Sequence, residues 1–272
     1  MRTRARWLNV PNRGQNMVFV DQTHSPAAGT SLWEACPQLA LLDPYVGWTY
    51  FEDFIHPAIT PATLVPYDWA FTGDIANASM TFPISLVGGV ANVSVGATDE
   101  DESYYQLGKA VTVAPFVITD NSGKMVFFEI RVKAMQVAEF ACFVGLAEEG
   151  AAAADFLTDA SGVLADKDFI GYNILSATPT AWNYTHKKAG QAVATQAGVA
   201  VNGADWHRFG FYFDGLHTIR NYINGSLNAT TYLTSAATFP SGEEMSPIIA
   251  LKSTTVGAKN IQIDYIKVAQ IR

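Results

Sequence analysis

From about residue 50 onward, apolar and polar positions alternate with a period of two, in short runs separated by turn residues, which is the spacing of strands with one buried face. Val126, Phe128, Ile130 and Val132 alternate with Glu129, Arg131 and Lys133, and residues 137–146 supply the next strand. Between Trp206 and Asp214, His207, Phe209, Phe211 and Phe213 share one face, while Trp206, Arg208, Gly210 and Tyr212 share the other. The phenylalanine face is assigned to the core. Asn224-Gly225 separates residues 219–223 from 227–233; both turn residues tolerate positive φ, which predicts a tight hairpin. Further strands are expected at 247–252 and 261–271. In the last, the apolar phase slips between Tyr265 and Ile266, as a bulge or burial on both faces would require. The helical candidate at 151–157, bounded by Gly150 and Gly162, reads as a loop decoration. The pattern therefore predicts under about 10% helix.

Residues 1–48 behave differently. Pro11, Pro26, Pro37 and Pro44 fall among scattered aromatics, and no stretch holds a period of 2 or 3.6. This predicts an extended N-terminal arm (1–48) followed by one sandwich domain (49–272), a size ordinary for an all-β unit. Arg2, Arg4, Arg6 and Arg13 precede the first acidic residue, Asp21. Trp7, Leu8, Val18, Phe19, Trp33, Leu39, Leu41 and Leu42 are too apolar for a mere linker. The arm is thus expected to lie on a receiving surface, with Arg2, Arg4, Arg6, Trp7, Phe19 and Trp33 as its partner contacts.

Composition narrows the function. Hydrophobic residues make up 49% and charged residues 15% of 272 positions, enough apolar material for a large core. A formal charge of -8 and a pI near 5.0 argue against nucleic acid as a partner, since neutralising phosphates needs a basic surplus. Cys36 and Cys142 stand far apart and read as reduced, Cys142 within an apolar run as a core residue. No apolar run is long enough for a membrane span. The basic start lacks the apolar stretch of a secretory signal, so the Asn-x-Ser/Thr triplets at Asn77, Asn92, Asn183, Asn224 and Asn228 read as a consequence of composition. His24, His56, His186, His207 and His217 show no metal-binding spacing, and neither a nucleophile elbow nor a phosphate loop occurs. No cofactor is expected. The run Asp99-Glu100-Asp101-Glu102 is a solvated loop or a Ca²⁺ site.

The stretch Trp206-His207-Arg208-Phe209-Gly210-Phe211-Tyr212-Phe213-Asp214-Gly215, continued by Ile219-Arg220-Asn221-Tyr222-Ile223-Asn224-Gly225, resembles the penultimate hairpin region of concanavalin A-like lectin/glucanase and laminin G-like domains. Ile261 to Val268 looks like their last strand, and Tyr50-Phe51-Glu52-Asp53-Phe54 like their first. The resemblance implies an antiparallel, jelly-roll β-sandwich over about 50–272. Sandwich glycosidases of the family-16 type carry Glu-x-Asp-x-x-Glu on one strand, which alternation places on one face. Here the nearest match starts at Glu129, where Arg131 replaces the Asp and Ala134 the last Glu, so a glycosidase is not expected.

An arm on an acidic sandwich without a signal sequence resembles bacteriophage head decoration (cement) proteins. That resemblance implies a non-enzymatic virion protein on the capsid surface, made in the host cytoplasm, homo-oligomeric and bound to a major capsid protein. Two alternatives stay open. One is a lectin-like adhesin, with Trp69 and Asp68, or Trp182, Asn183 and Tyr184, touching a glycan; the other is a glycoside hydrolase of the same fold.

Overall fold

A computed structural model describes residues 6–8, 17–19, 32–33, 36–37, 43–55, 68–73, 78–83, 89–108, 114–158, 162–233 and 236–272, with the backbone alone at 6–8, 17–19 and 229–233. Strands β1 (Arg6–Leu8) and β2 (Met17–Phe19) pair with each other. There follow β3 (Gly47–Glu52), β4 (Trp69–Gly73), β5 (Ser79–Thr81), β6 (Ala91–Val95), β7 (Glu102–Leu107), β8 (Phe116–Ile118), β9 (Val126–Ala134) and β10 (Phe140–Glu148). A 3-10 turn at Ala151–Ala153 is all that forms at the expected helical decoration. The chain continues through β11 (Phe169–Leu175), β12 (Thr178–Lys187), β13 (Ala194–Ala200), β14 (His207–Phe213), β15 (Thr218–Ile223), β16 (Ser226–Leu233), β17 (Glu243–Ser253) and β18 (Lys259–Ile271).

Two eight-stranded antiparallel sheets result. Sheet I runs β13-β12-β11-β10-β17-β7-β4, with β8 on β17; sheet II runs β16-β15-β14-β9-β18-β6-β5, with β3 on β18. The sandwich core lies between them. Val126, Phe128, Ile130 and Val132 meet Phe209, Phe211 and Phe213 from one layer, and Cys142, Val144, Ile170, Tyr172, Trp182 and Tyr184 from the other. Each fully buried side chain of this size contributes roughly 1.5–3 kcal/mol. The hydroxyl of Tyr172, too polar to bury alone, donates to the Gly210 carbonyl of the opposite sheet at 2.6 Å, which ties the layers together.

The predicted hairpin forms, with Asn224 at φ 52 and Gly225 at φ 82, the positive values that a two-residue turn of this kind demands. The slipped phase in β18 is a bulge, since its register against β9 shifts between Ile263 and Tyr265. Cys36 and Cys142 are free and buried.

Both outer faces are partly covered by the chain itself. On sheet I, Phe156, Leu157, Leu164, Ala151 and Ala152 pack over Phe143, Phe169, Ile248 and Ala250. Phe143, Phe156 and Phe169 meet edge to face at 5.1 to 5.8 Å. On sheet II, Leu32 and Cys36 join Phe127, Tyr212 and Tyr222. Gly210 makes room there, for a Cβ at that position would stand 2.4 Å from Leu32 Cδ2.

Candidate active site

Several residues singled out from sequence do other work. Trp182 and Tyr184, expected as glycan contacts, are fully buried in the core. Their two-residue spacing is that of the core face of β12, which leaves Asn183 on the outer side. Trp69 is 5% exposed, and its indole N–H donates to Tyr50 Oη at 2.9 Å; Asp68 beside it is exposed.

The acidic run 99–102 does not converge. Asp101 Oδ2 accepts the Thr98 N–H at 3.0 Å, and Glu102 pairs with Lys252 at 3.3 Å and accepts the Tyr104 hydroxyl at 2.6 Å. Among the described residues no group of three or more His, Cys, Asp or Glu could hold a metal ion. Of the arm contacts, Trp33 stacks on Phe127 of its own sheet II at 5.7 Å, with Lys267 Nζ 3.9 Å above its ring. Arg2 and Arg4, and the side chains of Arg6, Trp7 and Phe19, lie outside the described residues.

Glu129 is buried, but its neighbours are cationic or hydrogen-bond donors. Tyr265 Oη donates to Oε1 at 2.7 Å, and Arg208 Nε lies 3.8 Å from Oε2. Arg131 pairs with Asp264.

A second group of carboxylates has the opposite character, and no motif announces it. Strand β10 ends at Glu148 and pairs with β11 on one side and β17 on the other. That register sets Glu148 against Asp168, the residue before β11, and near Glu243, the first residue of β17. The Asp168 N–H donates to Glu148 Oε2 at 2.9 Å, and the Glu148 N–H returns to the Asp168 carbonyl at 2.9 Å. Lys167 Nζ sits 2.8 Å from Glu148 Oε1.

Asp168 is 5% exposed, and its Oδ1 has no hydrogen-bond partner. Burial, then the charge of Glu243, then the hydrogen bond and charge of Glu148 push its pKa up to about 6, against the pull of the Ala189 N–H. A buried carboxyl beside other carboxylates holds its proton because ionising it would place like charges together in a poorly solvated site. The Asp168 neighbours Glu148 and Glu243, with Glu149, Gly242 and Glu244, line a cleft of ≈ 430 Å³. Proton-holding and acidic side chains thus meet at one end of sheet I.

No protein-family model matches the chain, and no curated protein sequence does. Solved structures do. An endo-β-1,4-glucuronan lyase from Trichoderma reesei superposes with a TM-score of 0.53 at 10% identity, over 80% of this chain and 94% of the lyase. The β-glucanase of Bacillus licheniformis gives 0.52 at 12%, covering 82% of this chain and 98% of its own. The laminarinase catalytic domain of Thermotoga maritima MSB8 gives 0.51 at 13%, with coverages of 82% and 98%.

The fold is the concanavalin A-like jelly roll.

At these identities the likeness is one of fold. These neighbours, whose names are those of polysaccharide-degrading enzymes, nevertheless overturn the expectation of a non-enzymatic virion or cement protein. The exclusion of catalysis rested on Glu129 and a single-strand motif. It took no account of carboxylates that the register of β10 with β11 and β17 brings to one end of sheet I.

Proposed function

We propose that this chain is a glycoside hydrolase acting on a neutral polysaccharide in the cleft at the end of sheet I. The observation that supports it is the Asp168 carboxyl, pushed up to about 6 and hydrogen-bonded to Glu148, while Glu148 and Glu243 line an open cleft. Carboxyl groups whose surroundings drive their proton affinities apart are what glycosidic cleavage uses, one as acid and one as base.

In this reading Asp168 is a positioning residue. It does not line the cleft; its carboxyl is hydrogen-bonded to Glu148 and passes a proton to it during the reaction. Glu148 presents that proton to the glycosidic oxygen as the bond from C1 breaks. The Glu243 carboxylate faces the positive charge that develops on the sugar and takes the proton of the water that adds to C1. Glu149 and Glu244 add negative charge to the walls, which favours that cation and disfavours a uronic-acid chain.

The test is release of reducing ends from neutral β-glucans and galactans between pH 4 and 8. Glu148→Gln and Glu243→Gln are each expected to lower the rate by about 10²- to 10⁴-fold. The wild-type rate should fall as pH rises through about 6, where the Asp168 carboxyl loses its proton. Absence of turnover on every substrate, or turnover untouched by both substitutions, overturns the proposal.

A further inference from the structure

The outer face of sheet II carries a second hollow that the acid cleft does not use. Arg131 of β9 and Arg208 of β14 are register partners, directly opposite each other, an arrangement of like charges that destabilises a sheet unless something offsets it. Two carboxylates do so, Asp264 beside Arg131 and Glu129 beside Arg208.

The bulge in β18 makes this arrangement possible. Strict alternation would send Asp264 and Tyr265 to opposite faces, but the register shift between Ile263 and Tyr265 turns both outward, and bulges often re-aim side chains in this way beside sites. Trp206, partly exposed just before β14, lies with its ring centroid 4.9 Å from the Arg131 guanidinium. Asn224 closes the far wall. Its Oδ1 accepts the Arg208 N–H at 2.9 Å, and Gly225 leaves space for the Arg208 guanidinium, since a Cβ there would lie 2.0 Å from Nη2. The hollow, ≈ 360 Å³ in volume, falls within the range of about 300–1,000 Å³ typical of ligand sites.

Its chemistry selects the ligand. Two guanidiniums and two carboxylates cancel, so neither an anion nor a cation is favoured as a whole. What remains are fixed donors and acceptors side by side, with an aromatic ring for a platform. Hydroxyl pairs that both donate and accept fit such a surface, and the apolar face of a pyranose ring fits an indole.

We propose that this hollow binds one unit of a neutral oligosaccharide, with Trp206 as platform and the Arg131–Asp264 pair holding adjacent hydroxyls. It is a docking site on the sheet opposite the acid cleft, and it stands whether or not that cleft is catalytic.

The experiment is calorimetric titration of the full chain carrying Glu148→Gln, which prevents turnover, with laminarihexaose, cellohexaose and an oligoglucuronate of equal length. Saturable binding of a neutral probe is expected, weakened at least tenfold by Trp206→Ala and by Asp264→Asn and largely restored by Trp206→Tyr. Thermal melts of each variant separate loss of the site from loss of the fold, and a variant that fails to melt cooperatively is replaced by Arg131→Gln. Equal binding by wild type and variants, preference for the oligoglucuronate, or no binding of any probe overturns the proposal.

Discussion

Asp168 and Glu129 are both acids removed from solvent, 5% and 7% exposed, and the protein treats them in opposite ways. Glu129 lies on the outer face of sheet II among groups that welcome a negative charge, namely the Tyr265 hydroxyl and the Arg208 guanidinium. Asp168 lies at the end of sheet I beside Glu148 and Glu243, with one oxygen left without a partner. Donors around a buried carboxyl favour its charged form, whereas carboxylates around it make it keep its proton to higher pH. Burial alone therefore does not mark a reactive acid; the sign of its neighbours does.

The sharpest way to break this comparison is through pH. The folded pKa of Asp168 is raised from 3.8 to about 6. Its contribution to stability is thus fully present below about pH 4 and is lost as pH rises through about 6, on the order of 2–3 kcal/mol. His186, on β12, works the other way. Burial lowers its pKa from 6.5 to about 4, so its contribution is present above about pH 6.5 and is lost, by a similar amount, as pH falls towards 4.

The two slopes oppose each other, and the wild-type stability should change little between pH 4 and 6 in urea titrations. Asp168→Asn is expected to expose a rise of stability with pH and to be the more stable protein at pH 7. His186→Gln should expose a fall. Superimposable pH profiles for wild type and Asp168→Asn would mean that the acid is not perturbed.

A smaller effect is expected at the other acid. Tyr265→Phe removes a donor from the buried Glu129 carboxylate and should cost about 1–3 kcal/mol in urea titrations. The smallest belongs to the half-exposed pair on the rim of the sheet II hollow. Asp264→Asn should change stability by less than about 1 kcal/mol, which makes it a clean probe of binding.

Much of the sandwich was legible because alternation survives where one face of a strand is wet. The Asn224-Gly225 turn and the phase slip near Tyr265 were readable for the same reason, since each is a local event. Strand β11 was not, because its first six residues are all buried and a strand covered on both faces loses its period. The covering is the chain's own segment around Phe156 and Leu157.

The candidate site was illegible for another reason. Glu148, Asp168 and Glu243 meet only through the register of β10 with its two neighbours, and no spacing along the chain encodes that. Reading Trp182 and Tyr184 as glycan contacts beside Asn183 overlooks their spacing of two, which already carries the signature of a core face.

The aromatic cover on sheet I also bears on how the molecule can be rebuilt. Surface connections usually accept added sequence, but residues 151–157 cannot be treated as such a connection. Lifting Phe156 and Leu157 would bare Phe143, Phe169 and Ile248 together, a contiguous apolar patch of the kind that promotes self-association. A fluorescent or affinity domain is better spliced into the turn between β13 and β14, where Asn202 and Ala204 are exposed, than into a segment that looks like a loop in sequence and serves as a third layer.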